Sequence, residues 1–261
     1  MAARHPRRPW GRRLMIPVVW PKRRAGSSSS EGYRRSEYSS VSQPDSRTRG
    51  VTLLELMVVL VIIAVGCAIA VPALARWSAT QRLSDSARVV DGALARARSE
   101  ARRTGNVRLV FFGTDAQGNT LHDALGNAVP ILVLDDGQPG TANQNCLIDA
   151  GETFETYTFA APEVVYGVYA AGTKVPSDAG AGAMTSGASF VDDGGGNARW
   201  VMFRPDGMPL AFDSSCNLGA VGSGGGAVYL NNGNRDVAAV LTPLGATRVH
   251  AFNRASNAWT Q

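Results

Sequence analysis

Glu55 is the one acid in the apolar stretch Val51-Thr52-Leu53-Leu54-Glu55-Leu56-Met57-Val58-Val59, and no charge follows it across the 20 residues 56–75. A carboxylate in bilayer hydrocarbon costs about 2.5–3.5 kcal/mol at the centre and less near the edge. A cationic partner would offset that cost. Gly50 lies directly before the stretch, and a cut after it would expose a new amino terminus on Val51. In a bundle of parallel copies, Glu55 of one helix could pair with the amine of the next, and that contact would set the axial stagger between copies. A plain membrane anchor gains nothing from the same carboxylate.

Nothing beyond this pair points to bond-making chemistry. Downstream of residue 50 the only histidines are His122, in a polar segment, and His250, in an expected edge or terminal strand. No H-E-x-x-H, G-x-S-x-G or phosphate-loop pattern occurs, and the glycine cluster at 222–226 lacks the spacing of a dinucleotide site. Asp192 and Asp193 fall in a Gly-rich loop, and the acidic region 135–155 lacks the ligand spacing of a calcium loop. The reading is of a protein that is not an enzyme, with no cofactor and no metal. Cys146 and Cys216 would close a loop of about 70 residues if joined, and Cys67, inside the apolar run, reads as a packing residue.

The elements that must position Glu55 follow from charge and periodicity. The chain has 261 residues and 26 Lys and Arg against 21 Asp and Glu, a net charge of +5. Residues 1–50 carry 12 basic and 3 acidic residues, which leaves 14 and 18 for the remainder. A basic, Ser- and Arg-rich leader thus precedes a mildly acidic body. At ~1.5 Å per residue the run 56–75 spans roughly 30 Å, the thickness of a bilayer's hydrocarbon core. The basic leader would stay cytoplasmic and place residues 76–261 on the outer side. A cleavable secretion signal has a shorter apolar region, with its small-residue cleavage site after it.

Helical periodicity continues past the run. Leu83, Ala87, Val90, Leu94, Ala97 and Ala101 share one face, and Thr104-Gly105-Asn106 supplies a stop. Arg98 and Arg102 fall on that apolar face, and are expected either to snorkel or to pair with acids in the sheet loops. Beyond Gly105 the pattern changes to short β-rich runs at 107–112, 130–134, 155–159, 163–169, 199–204, 208–212, 227–230, 236–242 and 247–252. One long helix followed by antiparallel strands makes the fold class α+β, with the helix on one face of a sheet. The expected organisation is a leader at 1–50, a helix at 51–104 that spans the membrane at 56–75, and a β-rich domain at 105–261.

The stretch Arg49-Gly50-Val51-Thr52-Leu53-Leu54-Glu55 resembles the type IV pilin and type II secretion pseudopilin superfamily. Val51 stands where that family usually has Phe, and the leader is long for it, with Met1 and Met15 both candidate starts. The resemblance implies a type IV pilin-like fold, cleavage after Gly50 by a membrane prepilin peptidase, N-methylation of Val51, and Glu55 as the assembly carboxylate. It also implies a helix kink or local unwinding at Pro72. The implied partners are other pilins or pseudopilins and the inner-membrane assembly platform. Leu94-Ala95-Arg96-Ala97-Arg98-Ser99-Glu100-Ala101-Arg102, Phe203-Arg204-Pro205-Asp206-Gly207 and Gly245-Ala246-Thr247-Arg248 resemble the GspH/FimT branch, which contains minor pseudopilins and minor pilins. In some members of that branch C-terminal arginines are linked to DNA binding. Here Ala246 replaces the first of them, leaving Arg248 as the one candidate DNA contact.

Overall fold

A computed structural model describes residues 51–180, 182–184 and 186–260, so Gly50 and the leader lie outside the described residues. Helix α1 runs from Leu53 to Thr104, 52 residues and therefore about 78 Å. It starts where Thr52, with extended backbone, accepts a hydrogen bond on its hydroxyl from the Glu55 N–H at 3.2 Å. It ends at Gly105, whose left-handed φ of 75° lets its N–H reach the Ala101 carbonyl at 3.0 Å. This is the stop that the Thr-Gly-Asn triplet signals. The helical run stays unbroken across Pro72, although proline has no N–H to give the Ala68 carbonyl.

The two halves of α1 differ in what covers them. Every large apolar side chain from Val51 to Trp77 is exposed. From Leu83 on, the face carrying Ala87, Val90, Leu94, Ala97 and Ala101 is fully buried, together with Ala93, Ser86 and Glu100. Burying each Leu or Val side chain contributes about 1.5–3 kcal/mol, and that face docks α1. Ser86 is satisfied in place: its hydroxyl donates to the Arg82 carbonyl at 2.8 Å and accepts from the Ala160 N–H at 3.0 Å.

The strands are β1 (Arg108–Phe112), β2 (Ile131–Asp135), β3 (Phe154–Tyr157), β4 (Val165–Tyr166), β5 (Phe190–Val191), β6 (Asn197–Ala198), β7 (Trp200–Phe203), β8 (Pro209–Leu210), β9 (Gly226–Asn231), β10 (Asp236–Leu241), β11 (Thr247–Asn253) and β12 (Ala258–Thr260). They form two five-stranded sheets, ordered β3-β2-β1-β7-β8 and β12-β11-β10-β9-β4, and a small β5-β6 hairpin. All pairings are antiparallel. One long helix followed by antiparallel strands is the α+β layout that the sequence indicates, with the strands divided between two main sheets. The expected strand at 163–169 shrinks to two residues, because the chain turns at Gly167 with φ 111°, and what remains of it pairs with β9.

Period-2 alternation places the core. Val110 and Phe112 of β1 and Val228, Leu230, Val237, Ala239 and Leu241 of β9 and β10 share one cluster with the buried face of α1. Both sheets therefore lie against the same helix. The alternate residues Leu109, Phe111, Leu132, Leu134 and Met202 face the other way, into a second cluster with Leu121, Phe212 and Cys146. Opposite faces at successive positions are what a pleated strand dictates.

Candidate functional site

The chain enters α1 through the triplet that holds Glu55. With Thr52 as N-cap, Glu55 is the third helical residue, so Thr52-Leu53-Leu54-Glu55 has the spacing of a capping box. Only one of the two reciprocal bonds forms: the Thr52 hydroxyl takes the Glu55 N–H. Among the described residues the Glu55 carboxylate meets no donor, and the residue is exposed. An acid in the first turn also interacts favourably with the helix dipole. The site is thus an open carboxylate on a capped first turn, at the tip of a helix whose apolar 18-residue window is wholly exposed. That helix is long and apolar enough to cross a membrane.

The basic surface of α1 is largely neutralised within the chain. Arg82 meets Glu163 at 3.0 Å, Arg88 meets Asp85 at 3.0 Å, Arg96 meets Glu155 at 3.3 Å, and Arg103 reaches Glu100 at 2.8 Å. Arg98 and Arg102 behave differently from either expectation, since their partners are backbone carbonyls. Arg98 donates through Nε to Gly207 at 3.1 Å, through Nη2 to Leu244 at 3.1 Å and through Nη1 to Gly245. Arg102 Nε donates to the Asp206 carbonyl at 3.0 Å. The two guanidinium groups fasten the helix to two turns, Pro205-Asp206-Gly207 and Pro243-Leu244-Gly245. Gly207 and Gly245 have φ of 77° and 79°, and a Cβ on either would meet the clamping arginine. Burial, and then the Arg102 charge, pull the Arg98 pKa below its usual value. Arg98→Met keeps the stem and removes three charge-assisted bonds. It should lower stability by ~2 kcal/mol in urea unfolding, with unchanged helix content.

Arg248 lies on β11 with its Nη1 3.4 Å from Asp178, and His250 Nε2 lies 3.1 Å from the other oxygen of the same carboxylate. The charge of the one candidate DNA contact is therefore shared with an acid of its own domain. Cys146 and Cys216 are joined as a disulfide, with Cα atoms 5.4 Å apart. Asp136, fully buried, gathers with both sulfurs. The bond occupies the two thiols that a metal would need. The Asp136 carboxylate accepts the Cys146 N–H at 3.1 Å and the Asn145 N–H at 3.4 Å. Burial nevertheless pushes its pKa up to about 7.

Of the candidate residues, the structure brings together Cys146 with Cys216. It leaves Glu55, Pro72 and Arg248 apart from that pair. Sequence reasoning missed the Thr52 cap, for which the T-x-x-E spacing was the available signal, and the carbonyl clamp, signalled only by the repeated Pro-x-Gly turn.

Residues 45–71 match the family model described as the prokaryotic N-terminal methylation motif. The match includes Gly50, Val51 and Glu55 and ends just before Pro72. The motif is typical of type IV pilins and points to a structural subunit rather than an enzyme. Comparison with curated proteins and with solved structures returns no match.

Proposed function

We propose that this chain is a minor pilin or pseudopilin, a structural subunit of a type IV pilus or type II secretion pseudopilus. The reading is carried by Glu55, an open carboxylate within the methylation motif, in the capped first turn of a helix whose apolar N-terminal half is exposed. A prepilin peptidase cuts between Gly50 and Val51 and the new amine is methylated. Until assembly the subunit is held in the inner membrane by residues 56–75, with its leader cytoplasmic and its β-rich domain on the outer side. The assembly platform then extracts it, and Glu55 meets the amine of a neighbouring subunit as the apolar helices bundle. A disulfide between Cys146 and Cys216 suits an oxidising compartment outside the cytoplasm.

The GspH/FimT branch is the finer placement, supported by the residues that resemble it and by the pilin-like order of one long helix and then sheets. We do not extend the proposal to DNA capture, since Arg248 shares its charge with Asp178 and one such contact makes a poor phosphate footprint.

Co-expression with a prepilin peptidase, followed by N-terminal sequencing and intact mass, tests the reading. The expected product begins at N-methylated Val51 and appears only when the peptidase is present. A mature chain with a different N-terminus, or full-length chain unchanged by the peptidase, overturns it.

A further inference from the structure

The membrane-near end of the β-rich domain is marked by a hydrogen bond from Asn232 Nδ2 to the Ala79 carbonyl at 3.1 Å. That bond pins the β9–β10 turn to α1 four residues past the last residue of the uncharged run, a rise of about 6 Å. The β11–β12 turn lies beside it, because Arg254 of that turn donates to the Asn234 carbonyl at 2.5 Å while its guanidinium stacks over Tyr169 at 5.0 Å. Between the two turns and α1 opens a cavity of about 590 Å³, lined by Thr80, Ser84, Arg235, Phe252, Asn253 and Arg254 among others.

Two arginines, Arg235 and Arg254, and one buried acid, Asp236, are the charged residues lining this cavity. Arg235 is exposed and its side chain has no acidic partner among the described residues, nor has that of Arg254 or Arg76. The nearby acids are engaged: Glu163 with Arg82, Asp85 with Arg88. The buried carboxylate of Asp236 accepts the N–H groups of Tyr169, Ala170 and Ala171 at 2.6, 2.7 and 2.8 Å. At the opposite end of the domain Asp135 accepts from Asn106 at 2.8 Å and pairs with Arg108 at 2.7 Å, and Asp149 and Glu152 follow further along that loop. Polar headgroups extend roughly 5–7 Å beyond the hydrocarbon on each side. With residues 56–75 in the hydrocarbon, Arg76 and the exposed Trp77 fall in that layer and the cavity mouth at its rim. Trp at this depth is the usual interfacial anchor.

We propose that this cavity binds the phosphate headgroup of an anionic phospholipid, held between Arg235 and Arg254, while the subunit waits in the membrane for assembly. The inference rests on the membrane-span reading of residues 56–75. The lipid fixes the rotation and height of the β-rich domain over the bilayer, and it is left behind when the subunit enters the filament.

The test uses the full chain in detergent with an equimolar mixture of phosphatidylglycerol and phosphatidylcholine, and retained lipid is counted by native mass spectrometry. Wild type should retain phosphatidylglycerol in preference. The Arg235→Gln/Arg254→Gln variant should lose roughly 30-fold in affinity, at about 1 kcal/mol per arginine, and Arg204→Gln, at the far end, should change nothing. If the double variant fails to fold, Arg235→Gln alone serves, since that side chain makes no hydrogen bond among the described residues, and its expected loss is about fivefold. Equal retention of both lipids, an unaffected arginine variant, or displacement by equimolar inorganic phosphate overturns the lipid site. A chain that does not float with vesicles overturns the membrane-span reading and this inference with it. Insertion without lipid preference overturns the inference alone.

Discussion

Glu55→Ala should leave a chain that inserts into the membrane as wild type does and is nearly absent from the filament. Insertion is driven by the 20 uncharged residues at 56–75, which the substitution does not touch, and removing a carboxylate makes the segment easier to bury. Assembly is another matter. An amine and a carboxylate brought together between apolar helices form a pair shielded from water, and removing one partner of a buried pair costs about 3–5 kcal/mol. That corresponds to more than a hundredfold loss in association for each subunit contact. Two roles of Glu55 must be separated, because the residue also occupies the third position of the Thr52 capping box. Glu55→Gln separates them: glutamine serves at that capping position but carries no charge for a neighbour's amine. Incorporation, read as the ratio of chain in sheared filaments to chain in membranes, should fall as far in Glu55→Gln as in Glu55→Ala. Recovery in the Gln variant would reduce Glu55 to a local cap and remove the ion-pair mechanism.

The parts of this molecule governed by periodicity were legible in the sequence. The helix face Leu83, Ala87, Val90, Leu94, Ala97 and Ala101 is buried residue for residue, the expected strands at 107–112, 199–204 and 236–242 each contain an observed one, and those at 130–134 and 247–252 fall one residue short of the observed C-terminal end. What escaped is governed by acceptors that have no sequence identity. Arg98 and Arg102 bind carbonyls, which every residue has, so no residue type in the sequence marks their partners. Sheet division escaped for a related reason, because alternation tells which face of a strand is apolar but not which strand lies beside it. The hairpin of β5 and β6 and the final strand β12 are two or three residues long, too short for any period to register. Turn chemistry held a further clue. Asp115-x-x-Gly118-Asn119 and Asp123-x-x-Gly126-Asn127 close with the same bonds as Asp213-x-x-Cys216-Asn217. Cys216 therefore occupies a glycine-type turn position, with φ 63°.

Cys146→Ser/Cys216→Ser should lower the stability of the β-rich domain by about 4 kcal/mol, the chain-entropy value for a loop closed across a separation of 70 residues. The loop takes in β3 to β8 and so ties strands of both sheets, and without it these short strands must order from a much larger unfolded ensemble. Asp136 adds a pH signature to the same variant. Its carboxyl is pushed to about 7 by burial under the disulfide, well above the value of about 3.9 in an unfolded chain. Between those two values the folded state holds the proton more tightly than the unfolded state does, so this group's contribution to stability falls as pH rises. Opening the bond frees the loop carrying Cys146, hydrates Asp136 and removes that dependence. The gap between wild type and the serine variant should therefore be wider at pH 5 than at pH 8 in guanidinium unfolding of the full chain in detergent. A gap below ~1 kcal/mol at both pH values would mean that the two-sheet core holds the loop in place without the bond. A gap that is large but equal at both would confine the effect to chain entropy and leave Asp136 buried in the reduced domain as well.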